Sequence, residues 1–181
     1  MMNASDSAVQ KLLAHEDIRH CLMRYARAID RCDPELLGAV YWPEATDSHG
    51  SFEGTAAAFI DWVIPLLRAM DQTMHLLGNI LIELEGDKAA VETYFTAYHR
   101  IRRHGGEPYD VIVSGRYIDR MECRNGEWRI GERRVVYDWV REFEDSSDWS
   151  KPVLGLRFES NRIENDPSYT LFGAARPIQS A

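Results

Sequence analysis

The hydrophobic period of the chain changes once, and that change restricts the possible folds more than any other feature. From about Ser7 to Arg31 the apolar positions Ile18, Leu22, Tyr25 and Ile29 recur at steps of four, three and four residues, which sets them on one stripe of an α-helix. Asp33-Pro34-Glu35 then closes this helix and opens another. Asp33 caps it and Pro34 takes the first helical position, where a missing N–H costs nothing, so a short second helix is expected from Pro34 to about Val40. A short extended stretch at about Thr46 to Phe52, with Gly50 and Gly54 as turn residues, leads into a third helix from about Thr55 to Met70. Beyond it the pattern turns to Val, Ile, Thr, Tyr and Trp in four segments, about Gln72–Leu84, Lys88–Arg103, Tyr109–Cys123 and Glu127–Val140. Turn signals at Glu85-Gly86-Asp87, Gly105-Gly106 and Asn125-Gly126 join them as long antiparallel hairpins. Helices first and a meander afterwards imply an α+β architecture, with a curved sheet wrapped around amphipathic helices.

With 181 residues, 45% of them hydrophobic, one core is expected. The net charge of −8 is accompanied by dispersed basic residues; Arg102-Arg103 and Arg133-Arg134 form no run able to neutralise a phosphate backbone. Neither nucleic acid nor an anionic membrane surface is expected as a partner. The amino terminus, Met-Met-Asn-Ala-Ser-Asp-Ser, has no basic start or apolar stretch of a secretion signal, and the most apolar later segment is broken by Asp61 and Pro65. A cytoplasmic protein is expected, and Cys21, Cys32 and Cys123 are read as reduced thiols. Residues 1–140 read as one domain. The more polar tail, 141–181, carries Pro152, Pro167 and Pro177 without a clean period. A lid or an oligomer arm are the roles open to it.

Four motifs stand in order: Tyr25-x4-Asp30, Asp47-x-His49-Gly50-x-Phe52-x-Gly54, Thr73-x-His75-x3-Asn79 and Trp128-Arg129-Ile130. Together with the helix-then-meander order they resemble the SnoaL-like family, part of the superfamily named after nuclear transport factor two. The resemblance runs from about Ala8 to Trp139, and Asp166-Pro167-Ser168-Tyr169 is similar to the family's tail. It implies a cone-shaped α+β barrel in which three N-terminal helices pack in a strongly curved, mostly antiparallel sheet around an internal pocket. Scytalone dehydratase, bile acid 7α-dehydratase and hexachlorocyclohexane dehydrochlorinase are relatives that work without a cofactor. In them an Asp from the first long helix pairs with a His from the strand after the third helix, places held here by Asp30 and His75. Tyr25 matches a pocket tyrosine of the bile acid dehydratase, and Arg133 a pocket arginine beyond the last strand's Trp.

Asp30 falls in the last turn of its helix, where the negative end of the macrodipole disfavours a carboxylate. Such a breach of local preference fits a functional site, and a carboxylate can hold an imidazole in one tautomer; a solvated helix end is the other reading. Strand alternation puts Thr73, His75, Leu77 and Asn79 on one face, so His75 is either a core histidine or, if it meets Asp30, a proton-transfer base. Tyr25 lies on the inward stripe as a core aromatic or a donor to a substrate oxygen. Arg133 is an exposed strand residue or a guanidinium stabilising negative charge in the pocket. Asp47 and His49 alternate near the pocket mouth, where they either add polar contacts or, the reading preferred, serve the turn through Gly50, while His99 and His104, at a strand end and its turn, are expected in solvent.

No metal-ligand spacing, dinucleotide fingerprint, phosphate loop or serine-nucleophile turn is present, so no metal and no cofactor are expected. The reading that follows is a cofactor-independent lyase or isomerase acting on a small hydrophobic cyclic substrate, as a dehydratase, dehydrohalogenase or cyclase. A homo-oligomer, dimer or trimer, is expected by analogy. The alternative is a non-catalytic ligand-binding or assembly module, such as the small subunit of a ring-hydroxylating dioxygenase.

Overall fold

A computed structural model describes residues 4–103, 106–145, 149, 151, 153–156, 162 and 166–172. His104, Gly105, Pro152 and Pro177 lie outside the described residues. The elements are α1 (Ala4–Arg31), α2 (Pro34–Ala39), β1 (Tyr41–His49), β2 (Phe52–Thr55), α3 (Ala56–Arg68), β3 (Gln72–Glu85), β4 (Lys88–Arg102), β5 (Pro108–Arg124), β6 (Glu127–Glu144) and α4 (Ser168–Phe172). Among the described residues no helix is long and apolar enough to cross a membrane.

The stripe of α1 is inside: Ile18, Leu22, Tyr25 and Ile29 are all buried. The helix stops in a Schellman-type turn, in which Asp33 N–H donates to Ala28 O at 2.9 Å and Cys32 N–H to Ile29 O at 3.2 Å. Cys32 holds the left-handed position there, φ 52°, which glycine usually fills and which costs an L-residue about 1–2 kcal/mol. Asp33 caps α2 as the sequence predicts, its Oδ1 accepting from Leu36 N–H at 2.9 Å. Thr55 caps α3 in the same way, accepting from Ala58 N–H at 3.2 Å.

The stretch expected as one short strand is a β1–β2 hairpin, Thr46 pairing with Thr55 and His49 with Phe52. The sheet is mostly antiparallel, curved and unclosed, with strand order β2-β1-β6-β5-β4-β3. Its one parallel pairing sets β1 beside β6. Strand β6 extends to Glu144, beyond the Val140 limit drawn from alternation, because Arg141–Glu144 pair with Tyr109–Ile112 of β5. On β3, Thr73, His75 and Leu77 face inward, but Asn79 is exposed: the β3–β4 ladder shifts between Leu77 and Ile80, so the inward parity passes to Ile80, Ile82 and Leu84. The helices pack inside this curve, α1 against β3 and β6 and α3 against β1 and β2.

The β5–β6 ladder is likewise broken between Ser114 and Gly115. A Cβ at Gly115 would stand 2.2 Å from the carbonyl oxygen of Val136 and 3.1 Å from the Phe95 ring. Gly115→Ala is therefore expected to overpack the sheet, costing about 1–3 kcal/mol and lowering Tm by roughly 3–10 °C in thermal unfolding.

Candidate active site

The curve of the sheet encloses a cavity of about 170 Å³. An apolar cavity of roughly 150 Å³ can hold a benzene ring, so this one suits one substituted ring or a compact fused pair. His49, His75, His99, Tyr25, Tyr117 and Tyr137 are the lining residues with polar groups; the rest is aliphatic and aromatic, with Trp62 and Phe95 the largest. A larger hollow of about 710 Å³ over the far ends of β3, β4 and β5 is more open and gathers no comparable set of imidazoles.

Asp30 and His75 meet at this cavity. Asp30 Oδ1 lies 2.8 Å from His75 Nδ1, and Asp30 Oδ2 accepts the His75 backbone N–H at 2.8 Å, so one carboxylate grips both the ring and the chain of the same residue. Asp30 is 7% exposed. Burial pushes its carboxyl up, but the ring and backbone hydrogen bonds from His75 and the charge of Arg31 outweigh burial and leave it below its ordinary value. An ionised Asp30 accepts a hydrogen bond from His75 Nδ1–H, and Nε2 is the ring nitrogen outside that contact.

Sequence reasoning missed Arg162. Its Nη1 donates to the carbonyl of Asp30 at 2.7 Å and to Thr73 Oγ at 2.8 Å. Nη2 donates to Leu67 O at 2.7 Å and Met70 O at 3.2 Å. This guanidinium donates to carbonyls at the ends of α1 and α3, where the helix dipole favours a cation, and ties both to the start of β3. The neighbouring tail also docks on the end of α1: Arg31 pairs with Asp166 at 2.9 Å, Arg27 donates to Ser168 Oγ at 2.8 Å, and the Tyr169 hydroxyl donates to Asp33 Oδ2 at 2.7 Å. No period or motif in residues 141–181 marks Arg162; the Asp166–Tyr169 motif was the sole pointer to that region.

Tyr25 lines the cavity and is 1% exposed, with its phenol pushed up by burial against the opposing influence of Arg133. Arg133 is not an exposed strand residue: it is 1% exposed. It stands behind the cavity wall, its Nε and Nη2 each 2.7 Å from an oxygen of Asp119. The guanidinium lies in the corner formed by the edge-to-face rings of Tyr25, at 3.9 Å, and Tyr117, at 4.2 Å. Asp119 attracted no notice in the sequence because it occupies an ordinary strand position. Among the described residues no three His, Cys, Asp or Glu side chains converge as a metal-ligand set.

His99 departs from the exposed position expected of it. It is half-buried beside His75, ring centroids 5.4 Å apart and nearly perpendicular, because the β3–β4 pairing sets His99 opposite the inward-facing Thr73. Burial, reinforced by the neighbouring imidazole, lowers its pKa from 6.5 to about 4.

A chain with this cone of α+β structure and an internal imidazole-bearing cavity falls in a known class, and the SnoaL-like domain matches residues 10–134. This chain belongs to the SnoaL-like family. Among solved structures, the hexachlorocyclohexane dehydrochlorinase LinA-type3 from Novosphingobium barchaimii superposes with a TM-score of 0.65 at 14% identity, covering 83% of this chain and 97% of its own. A Novosphingobium aromaticivorans protein described as a scytalone dehydratase gives 0.63 at 20% identity, covering 86% and 97%. One described as the β subunit of an aromatic-ring-hydroxylating dioxygenase, from the same species, gives 0.56 at 21%, covering 72% and 93%. At these identities the likeness is one of fold. No curated protein matches the sequence.

The His99 shift has a defined sign. Between pH 6.5 and about 4 the unfolded chain binds the proton that folded His99 refuses, so this contribution to stability is full above pH 6.5 and is lost as pH falls through that window. Urea unfolding at pH 7 and pH 4.5 is expected to show a smaller pH-dependent loss in His99→Gln than in the wild type, and an NMR titration should place the His99 midpoint near 4.

Proposed function

We propose that this protein is a cofactor-independent lyase or isomerase that moves a proton on a small, largely apolar cyclic substrate. The observation that carries the reading is the two-point hold of Asp30 on His75 at the wall of a cavity sized for one or two rings. His75 Nε2 is the base that takes a proton next to an activating group. Asp30 fixes the tautomer and stabilises the imidazolium that forms. Tyr25, kept protonated by burial, donates to a substrate oxygen. Arg133 acts through Tyr25 as a positioning residue, its charge being held by Asp119.

The dehydrochlorinase and dehydratase names of two structural neighbours direct the choice of substrates: hexachlorocyclohexane, followed by chloride release, and cyclic hydroxyketones, followed by loss of water. With whichever of these turns over, His75→Ala and Asp30→Asn are expected to reduce kcat by about 100-fold or more while Tm moves by only a few degrees. Full turnover in either variant would rule the dyad out.

A second reading, as an assembly module, has its own observation. Leu76, Tyr94 and Trp139 form an exposed apolar hollow on the outer face of the sheet, 65%, 44% and 49% exposed. Such a patch favours contact between chains, either in a homodimer or homotrimer or against a larger subunit. Light scattering separates these cases: an oligomer is expected for the wild type, and Trp139→Glu is expected to shift the mass towards a monomer.

A further inference from the structure

A second carboxylate–imidazole pair reaches the same cavity from the other side of the sheet. β1, which carries it, and β3, which carries His75, are separated in the sheet by β6, β5 and β4, and the curvature turns both towards one space. Asp47 and His49 lie two apart on β1 and so share a face. Asp47 is buried, its Oδ2 accepting the Tyr41 hydroxyl at 2.6 Å. Its Oδ1 stands 3.3 Å from His49 Nδ1, within ion-pair range but off line for a hydrogen bond, and neither atom has a hydrogen-bond partner among the described residues. His49 stacks on Phe59 at 5.0 Å, which fixes its ring plane. With Nδ1 turned to Asp47, Nε2 is left for the cavity that His49 lines.

We propose that His49, oriented by Asp47, is the proton donor to the leaving group in the reaction for which His75 is the base. This rests on the lyase reading above and names the partner that reading needs. His75 Nε2 takes the proton from carbon, the C–H electron pair becomes the new π bond, the bond to the leaving group breaks with its pair going to that group, and His49 Nε2–H supplies the proton that neutralises it. Solvent then removes the proton from His75 and restores the one on His49. The other cationic and phenolic candidates do not fit this step. Arg133 is held by Asp119 behind the wall, and Tyr25, Tyr117 and Tyr137, their phenols pushed up by burial, are too weak as acids to release a proton.

The test uses benzisoxazoles carrying nitro, chloro or hydrogen substituents. Each loses one carbon-bound proton as its N–O bond breaks, giving a cyanophenolate whose basicity follows the substituent. His75→Ala is expected to slow every member by about 100-fold or more. His49→Phe, which keeps the stacking on Phe59, is expected to slow the nitro compound by roughly 10-fold and the unsubstituted one by roughly 100-fold, because the poorer leaving group depends more on protonation. His49→Gln and Asp47→Asn should steepen the dependence in the same direction. The slope across the series does not depend on how much of a variant is folded. An unchanged slope in the His49 variants, with His75→Ala still slow, overturns the role of His49 alone. A wild type no faster than His75→Ala overturns the base reading with it.

Discussion

The guanidinium of Arg133 sits where a hydrophobic residue would be simplest, and its compensation organises the centre of the protein. Removing such an ion from water costs several kcal/mol. Here the cost is offset by two 2.7 Å bonds to Asp119 on β5 and by the faces of Tyr25 on α1 and Tyr117 on β5. Each of these contacts has a direction as well as an energy. The bidentate pair joins β5 to β6, and the ring of Tyr25, held from one side by Arg133, meets Tyr41 of β1 edge-on at 6.2 Å. The rotation of α1 against the sheet is thereby set, and Asp30 lies five residues further along the same helix.

At that end of α1 the local electrostatics run against a carboxylate, and three groups reverse them. His75 donates to Asp30 from its ring and from its backbone, Arg162 takes up the Asp30 carbonyl, and Arg31 adds positive charge nearby. Arg162 also holds carbonyls at Leu67 and Met70, so the ends of α1 and α3 and the first residues of β3 form one unit. The tail is thus part of the frame that carries Asp30 and His75. For the role proposed for His75, donors fixed in advance around its carboxylate partner would keep reorganisation small.

Most of the fold was legible because periodicity is a local signal. The α1 stripe, the Asp33 cap and the four long strands follow from spacing, turn residues and capping chemistry, each acting within a few residues. The departures share one cause. The shift that exposes Asn79, the extension of β6 to Glu144 and the parallel pairing of β1 with β6 depend on partner strands far away in sequence, and no local pattern encodes them. His99 was expected in solvent for the same reason, since its burial is decided by the neighbour opposite it.

The sequence by itself determined the α+β class and the inward face of α1, since side-chain direction in a helix or strand follows from its period, while Asp30, His75 and Tyr25 became candidates through the family resemblance. Only the tertiary structure decided which charges meet. It gave Arg133 to Asp119, brought Arg162 from the tail to the Asp30 carbonyl, and set Asp47 beside His49, whose ring lines the cavity. Electrostatic pairing acts through distance in space, and residues 14 apart in one case and 132 in the other become neighbours only once the sheet has curved around its helices.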